Sequence, residues 1–151
     1  MLEPQPWGLI IDSMWNLSGC LSDAGDHAQA VQISQAAIDK GKQAYGEGHV
    51  HVLRMRLTHV GTVGASGDPG SAATLSARLV ADSTEFLGES HLTTLEARLE
   101  LARWTAAAGH LSKARQLYGA LQADLDQHLH HDHWLAEQCR AELAELDEHG
   151  G

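Results

Sequence analysis

Aromatic side chains are scarce in this chain. It has one Phe, two Tyr and four Trp, 5% of its residues. Sheets draw heavily on aromatic and β-branched residues, so the shortage argues against an all-β protein. Proline is rarer still, at three residues, two of which lie within the first six positions. Cations are few: 10 Lys and Arg face 20 Asp and Glu, for a net charge of −10. A phosphate backbone needs a basic face, so nucleic acid is not an expected partner. No apolar run approaches the roughly 20 residues that span a bilayer, and no membrane association is expected. The two cysteines, Cys20 and Cys139, match no metal spacing and read as small buried thiols of a reducing cytoplasm. Leu17-Ser18-Gly19-Cys20 has the look of a lipidation box, but residues 1–16 carry Glu3 and Asp12 and no Lys or Arg, unlike a signal segment.

Catalytic motifs are missing too. No nucleophile–base pair, carboxylate pair or cofactor motif is present, so neither an enzyme nor a bound cofactor is expected. The Gly61–Gly67 stretch is glycine-rich, yet no Gly-Lys-Ser/Thr follows it and no strand precedes it, which excludes a phosphate loop.

What the chain does contain is Ala, Leu and Val, which supply most of its 43% hydrophobic content and suit packed helices. At 151 residues it is long enough for one domain over 1–151. Sliding the sequence by 42 residues superimposes Gly25, Gly67 and Gly109, then Ala30, Ala72 and Ala114. The same shift aligns His49, His91 and His133, and Arg56, Arg98 and Arg140. Each period reads as two helices. In the third, Leu95, Leu99, Ala102 and Ala106 recur at helical spacing, and Gly109 ends that helix because it takes a positive φ without a Cβ clash. Ser112 is placed to start the next helix, through Ala114, Leu117, Leu121 and Leu125. Pro69 sits near a first helical position in the second period. The pattern predicts repeats at about 9–45, 50–87 and 92–129. A terminal helix at about 134–147 carries Glu137, Glu142 and Glu145 as a solubilising cap.

With its Gly-to-Ala spacing of five and its period, the chain resembles the tetratricopeptide-repeat family, in the 42-residue variety of kinesin light chains and many actinobacterial signalling proteins. The linker Leu87-Gly88-Glu89-Ser90-His91-Leu92-Thr93-Thr94-Leu95 is similar to the Leu-Gly-x-x-His-x-x-Thr-Leu of that variety. Tyr45 to Leu53 matches more loosely, and Leu129 to Glu137 keeps only Leu129 and His133. A HEAT or armadillo array has a similar period but lacks this combination. The resemblance implies an all-α, right-handed superhelical solenoid of three helix-turn-helix repeats plus a capping helix, whose first helices line a concave groove. Carried over residue by residue, the groove positions are Asp12, Trp15 and Gly19, then Arg54, Leu57, Gly61 and Ala65, then Glu96, Leu99, Arg103 and Ala107. Most are too apolar or small for a clamp on a C-terminal carboxylate. They suit a peptide with an apolar side, steadied by Arg54 and Arg103. The implied function is a cytoplasmic protein- or peptide-binding scaffold. Two alternatives are a sensor module excised from a larger signalling ATPase or transcription regulator, and a self-associating module that forms a homodimer.

Other features have plain readings. His128, His130 and His131 form a His-rich tract open to a weak metal suspicion, but they lie at a helix end, where a cation is favourable. His49, His91 and His133 are expected to satisfy orphan backbone groups at helix starts. Trp104 and Trp134 read as packing residues, Trp15 as a binding anchor, and Trp7 as a cover for the open end of the stack. The glycines of 61–67 thin a helix so that a neighbour or ligand can approach closely. Residues 116–151 hold eight acids and one base, whereas 51–115 hold six acids and seven bases.

Overall fold

The computed structural model describes residues 7–130 and 132–149, without the side chain of Trp7. The reading of Trp7 as an end cover therefore lies outside the described residues. Seven helices run in order: α1 (Trp7–Asp23), α2 (His27–Tyr45), α3 (Val50–Ala65), α4 (Pro69–Leu87), α5 (Leu92–Ala107), α6 (Leu111–His128) and α7 (Trp134–His149). No strand occurs among the described residues.

Local chemistry recurs at each junction. Gly25, Gly67 and Gly109 turn the chain between the helices of a hairpin with φ of 86°, 97° and 95°, a region that side chains with a Cβ avoid. Asp26 and Asp68 then accept from the backbone N–H of Gln29 and Ser71, capping α2 and α4. In the third repeat His110 stands at that place and makes no cap bond, and α6 begins at Leu111. Ser112 thus falls inside the helix and does not start it. Between hairpins, histidine does the capping. The Nδ1 atoms of His49, His91 and His133 accept from the N–H two residues on, at 3.1, 3.1 and 3.2 Å. An ion pair also repeats: Arg56 to Asp82 and Arg98 to Asp124, each 2.7 Å, tie a first helix to the second helix of its own hairpin.

Ala30, Ala72 and Ala114 are fully buried where paired helices cross, the size limit that the spacing implied. The core is three serial clusters. Ile11, Ala37, Ile38 and Met55 join α1 to α3. Leu53, Val60, Val63, Ala72, Leu79 and Ala97 join α3 to α5, and a larger group around Leu121, Leu125 and Cys139 joins α5 to α7. Each cluster borrows a helix from the next hairpin, the quasi-one-dimensional packing of a solenoid. Beyond chain neighbours, α3 also touches α5 and α5 touches α7, with no comparable contact among the even helices. The odd helices form the inner layer.

Cys139 is buried, and burial first, with the Glu142 carboxylate, raises its thiol to about 11. Cys20 is exposed, which corrects the expectation of two buried thiols: among the described residues, no further hairpin covers that side of α1. The glycines of α3 divide their work. A Cβ on Gly64 would collide with the Trp104 ring, whereas one on Gly61 would meet nothing within 4 Å. Gly64→Ala is expected to destabilise the fold by about 1–3 kcal/mol through overpacking. Gly61→Ala is expected to stabilise it by up to about 1 kcal/mol through helix propensity. Urea denaturation of the two variants checks both signs.

Candidate functional site

The helical period splits α3 into two faces. Val52, Leu53, His59, Val60 and Val63 are buried against α2 and α4, while Arg54, Leu57, Thr58 and Gly61 face the inner side. In α5 the equivalent inner residues are Glu96, Leu99, Glu100 and Arg103. Between the two helices lies an open depression of about 440 Å³, bordered by Arg54, Leu57, Gly61, Glu96, Leu99 and Arg103. Six of the eleven anticipated groove residues therefore border one depression. A second depression of about 220 Å³, between α1 and α3, is bordered by Asp12 and Trp15 and again by Arg54. Arg54 borders both.

Gly19, Ala65 and Ala107 are exposed and border neither depression. Packing explains Gly19: α1 rests on α2 and makes no extensive contact with α3, so its C-terminal half does not reach the groove floor. The start of α7 supplies residues that sequence reasoning missed. Trp134, 52% exposed, borders the larger depression with Leu135 and Gln138. The signal was present for Gln138, which continues the column of Asp12, Arg54 and Glu96 at 42-residue steps.

The two groove arginines differ. Arg54, half exposed, donates to Thr93 Oγ1 at 3.2 Å and to Glu96 at 3.4 Å. Arg103 is engaged by the fold: Nη1 donates to Glu100 at 2.6 Å, and Nη2 and Nε donate to Glu142 at 2.5 and 3.1 Å. Trp104 Nε1 donates to the other oxygen of Glu100 at 2.8 Å, and the Tyr118 hydroxyl donates to Glu142 at 2.9 Å. One guanidinium thus ties α5 to α7, with α6 joined through Tyr118. Burial raises the Glu100 carboxyl above its ordinary range, opposed by Arg103 and the Trp104 bond. Burial would lower Arg103, but its bonds to the carboxylates outweigh that and raise it. Burial and then Glu142 push the Tyr118 hydroxyl well above its ordinary value.

Chemistry of other kinds is thinly represented. Among the described residues, no three His, Cys, Asp or Glu side chains converge on a metal position. His128 and His130 are exposed at the end of α6, and His131 lies outside the described residues. No helix among the described residues is long and apolar enough to cross a membrane.

Solved structures share this architecture. A protein of Podosopora anserina, described as a putative kinesin light chain with nearly identical TPR-like repeats, superposes with a TM-score of 0.80 at 22% identity. The match covers 95% of this chain and 67% of that one. A point variant of the same protein gives the same score and identity, over 96% and 68%. No protein-family model and no curated protein sequence matches the chain. The class is therefore set by architecture: this chain is an all-helical, TPR-like repeat solenoid.

Removing the central guanidinium tests the network. In Arg103→Met, Glu100 and Glu142 face each other without their cation, so the variant is expected to lose about 2 kcal/mol near neutral pH, below the value for a fully buried pair. A carboxyl whose folded pKa is raised favours the fold while protonated and loses that contribution as pH rises through the folded value. Removing Arg103 raises Glu100 further, so the deficit should be smaller at about pH 4.5 than at about pH 7.5. Thermal unfolding at both values measures it.

Proposed function

We propose that this chain is a protein-binding scaffold whose inner groove receives a peptide or a protein segment with an apolar side. The observation that carries the reading is the 440 Å³ depression between α3 and α5, where Leu57 and Leu99 lie beside charged Arg54 and Glu96 and the ring of Trp134 stands at the edge. Concave surfaces with an aromatic at the rim suit an inserted side chain, and Trp is favoured among residues that dominate binding energy. Trp15, with Asp12, extends the same surface toward the N-terminal end. Arg54 is the arginine placed to meet a partner, because Arg103 serves the α5–α7 tie.

Peptides selected from a random display library on the immobilised protein test the assignment. Trp15→Ala, Leu57→Ala and Trp134→Ala are expected to weaken selected peptides about tenfold or more, the scale of a binding hot spot. Trp15 and Leu57 also pack against core clusters, so their variants are expected to unfold at a lower midpoint, and circular dichroism at the binding temperature verifies that each remains folded. Equal binding by all three variants overturns the groove assignment.

A second reading, self-association through α1, has its own observation. Leu9, Ile10 and Leu17 are 74%, 37% and 49% exposed. The 42-residue equivalents of Ile10 are Val52 and Thr94, both fully buried by the preceding hairpin, and His59, the α3 equivalent of Leu17, is 5% exposed. A second copy of the chain would cover this face. Light scattering across a concentration series should then show a dimer that Leu17→Lys dissociates, and a monomer at every concentration refutes it.

A further inference from the structure

On the side of α3 opposite the groove, a cleft of about 200 Å³ opens between α2 and α4. Its polar lining is Gln35 and Lys42 from α2, Arg56 and His59 from α3, and Arg78 from α4, and no carboxylate lines it among the described residues. Three of the ten cations of an acidic chain are gathered there. Ile38, Val60 and Leu75 complete the walls and lower the local dielectric, which strengthens any ion held between the cations.

The repeat supplies an internal control. Moved by 42 residues, Gln35, Lys42, His59 and Arg78 become Ala77, Thr84, Leu101 and Ala120. Only Arg56 keeps its type, as Arg98, and both pair with an aspartate at 2.7 Å. The corresponding cavity of the next repeat is bordered by two carboxylates, Glu89 and Asp124. The Arg–Asp pair is thus common to the fold, whereas the other four polar residues belong to this cleft alone. Arg78 makes no ion pair or hydrogen bond among the described residues, and Lys42 reaches only the exposed Glu47, at 3.9 Å.

His59 stands out. It is 95% buried (5% exposed) at a position where the first and third repeats have Leu17 and Leu101, so an imidazole stands where a leucine would pack. Its Nδ1 meets Ser34 Oγ at 2.5 Å, and that hydroxyl also donates to the Val31 carbonyl at 3.0 Å. With the Ser34 hydroxyl hydrogen directed to Val31, Nδ1 carries the ring hydrogen and donates to Ser34 Oγ. The Nε2 edge has no hydrogen-bond partner among the described residues, on a ring that lines the cleft.

We propose that this cleft binds a phosphomonoester, held between Lys42 and Arg78 over the free edge of His59. A carboxylate is planar and is satisfied by one arginine. Donors arriving from three helices suit a tetrahedral oxyanion with up to two charges. Burial lowers His59, against the opposing pull of Asp39 on α2. The other charges near the cleft are Lys42 with Glu47 beside it, Arg56 with its partner Asp82, and Arg78. A bound dianion reverses the balance at His59: the ring gains a proton on Nε2 and becomes a donor. The proton comes from solvent or from the phosphate itself, whose second ionisation lies at about 6, so the His59 contribution is read as the difference from His59→Leu.

Calorimetric titration with O-phosphoserine, with a phosphoserine peptide and with the same peptide unphosphorylated tests the site. Saturable 1:1 binding of a phosphorylated probe is expected, weakened at least tenfold in Lys42→Ala/Arg78→Ala. Neither of those residues holds the fold together, and circular dichroism verifies that the variant remains folded. Comparable affinity for the amino acid and the peptide identifies a free phosphomonoester as ligand, and tighter peptide binding identifies a phosphorylated chain. His59→Leu, the residue of the neighbouring repeats, should fold and still bind but take up fewer protons at about pH 6 to 7, around the ordinary imidazole range. The buffer dependence of the binding heat reads that uptake. Absence of saturable binding by both phosphorylated probes overturns the proposal. So does equal binding of the unphosphorylated peptide, an undiminished affinity in the double variant, or unchanged proton uptake in His59→Leu.

Discussion

A hairpin of two helices in this chain has apolar residues on more sides than its own partner helix covers. The second side of α3 and of α5 is covered by the hairpin before it, and that demand organises the molecule. Met55 of α3 closes the cluster begun by Ile11 and Ile38, and Ala97 of α5 closes the one begun by Leu53 and Leu79. Because each closure borrows one helix, the core is a series of linked clusters and not a single centre. α3 touches α5 and α5 touches α7 with no comparable contact between even helices among the described residues, so the inner layer draws together there.

Repetition also lets each repeat act as the reference for the others. Histidine caps, glycine turns and Arg–Asp pairs recur because every junction poses the same backbone problem: orphan N–H groups at a helix start and a chain reversal after a helix end. Departures from the period are where other pressures show. Gly61 borders the depression between α3 and α5 while Gly64, three residues on and on the same side of the helix, admits the Trp104 ring of α5. His59 departs from leucine, and the cations around it depart from alanine and threonine.

Charge follows the same logic at a finer scale than the net value of −10. Carboxylates concentrate on the final helix, yet Glu142 there is drawn inward by Arg103 and Tyr118 and helps hold α7 in place. The cleft outside α3 is lined by cations without a carboxylate. An acidic chain thus presents surfaces of distinct sign, set by which helices converge.

The sequence by itself determined the period and the seven helices of the described residues. Each rests on contacts within a few residues: apolar spacing of three and four, a glycine at a turn, a cap two or three residues away. It also marked most of the inner face, since a helical period assigns sides. What only the tertiary structure decided lies across hairpins. Arg103 looks like any groove cation until Glu142, 39 residues later, is brought onto it. Trp134 reads as a packing residue until α7 lays it along α3 and α5, and Cys20 reads as buried until α1 is seen with one covered side. Lys42, His59 and Arg78 are separate residues in the chain and become one cleft only when α2, α3 and α4 converge. Periodicity fixes direction around each helix axis, but the depth of a side chain and its partners depend on which helix is stacked against it.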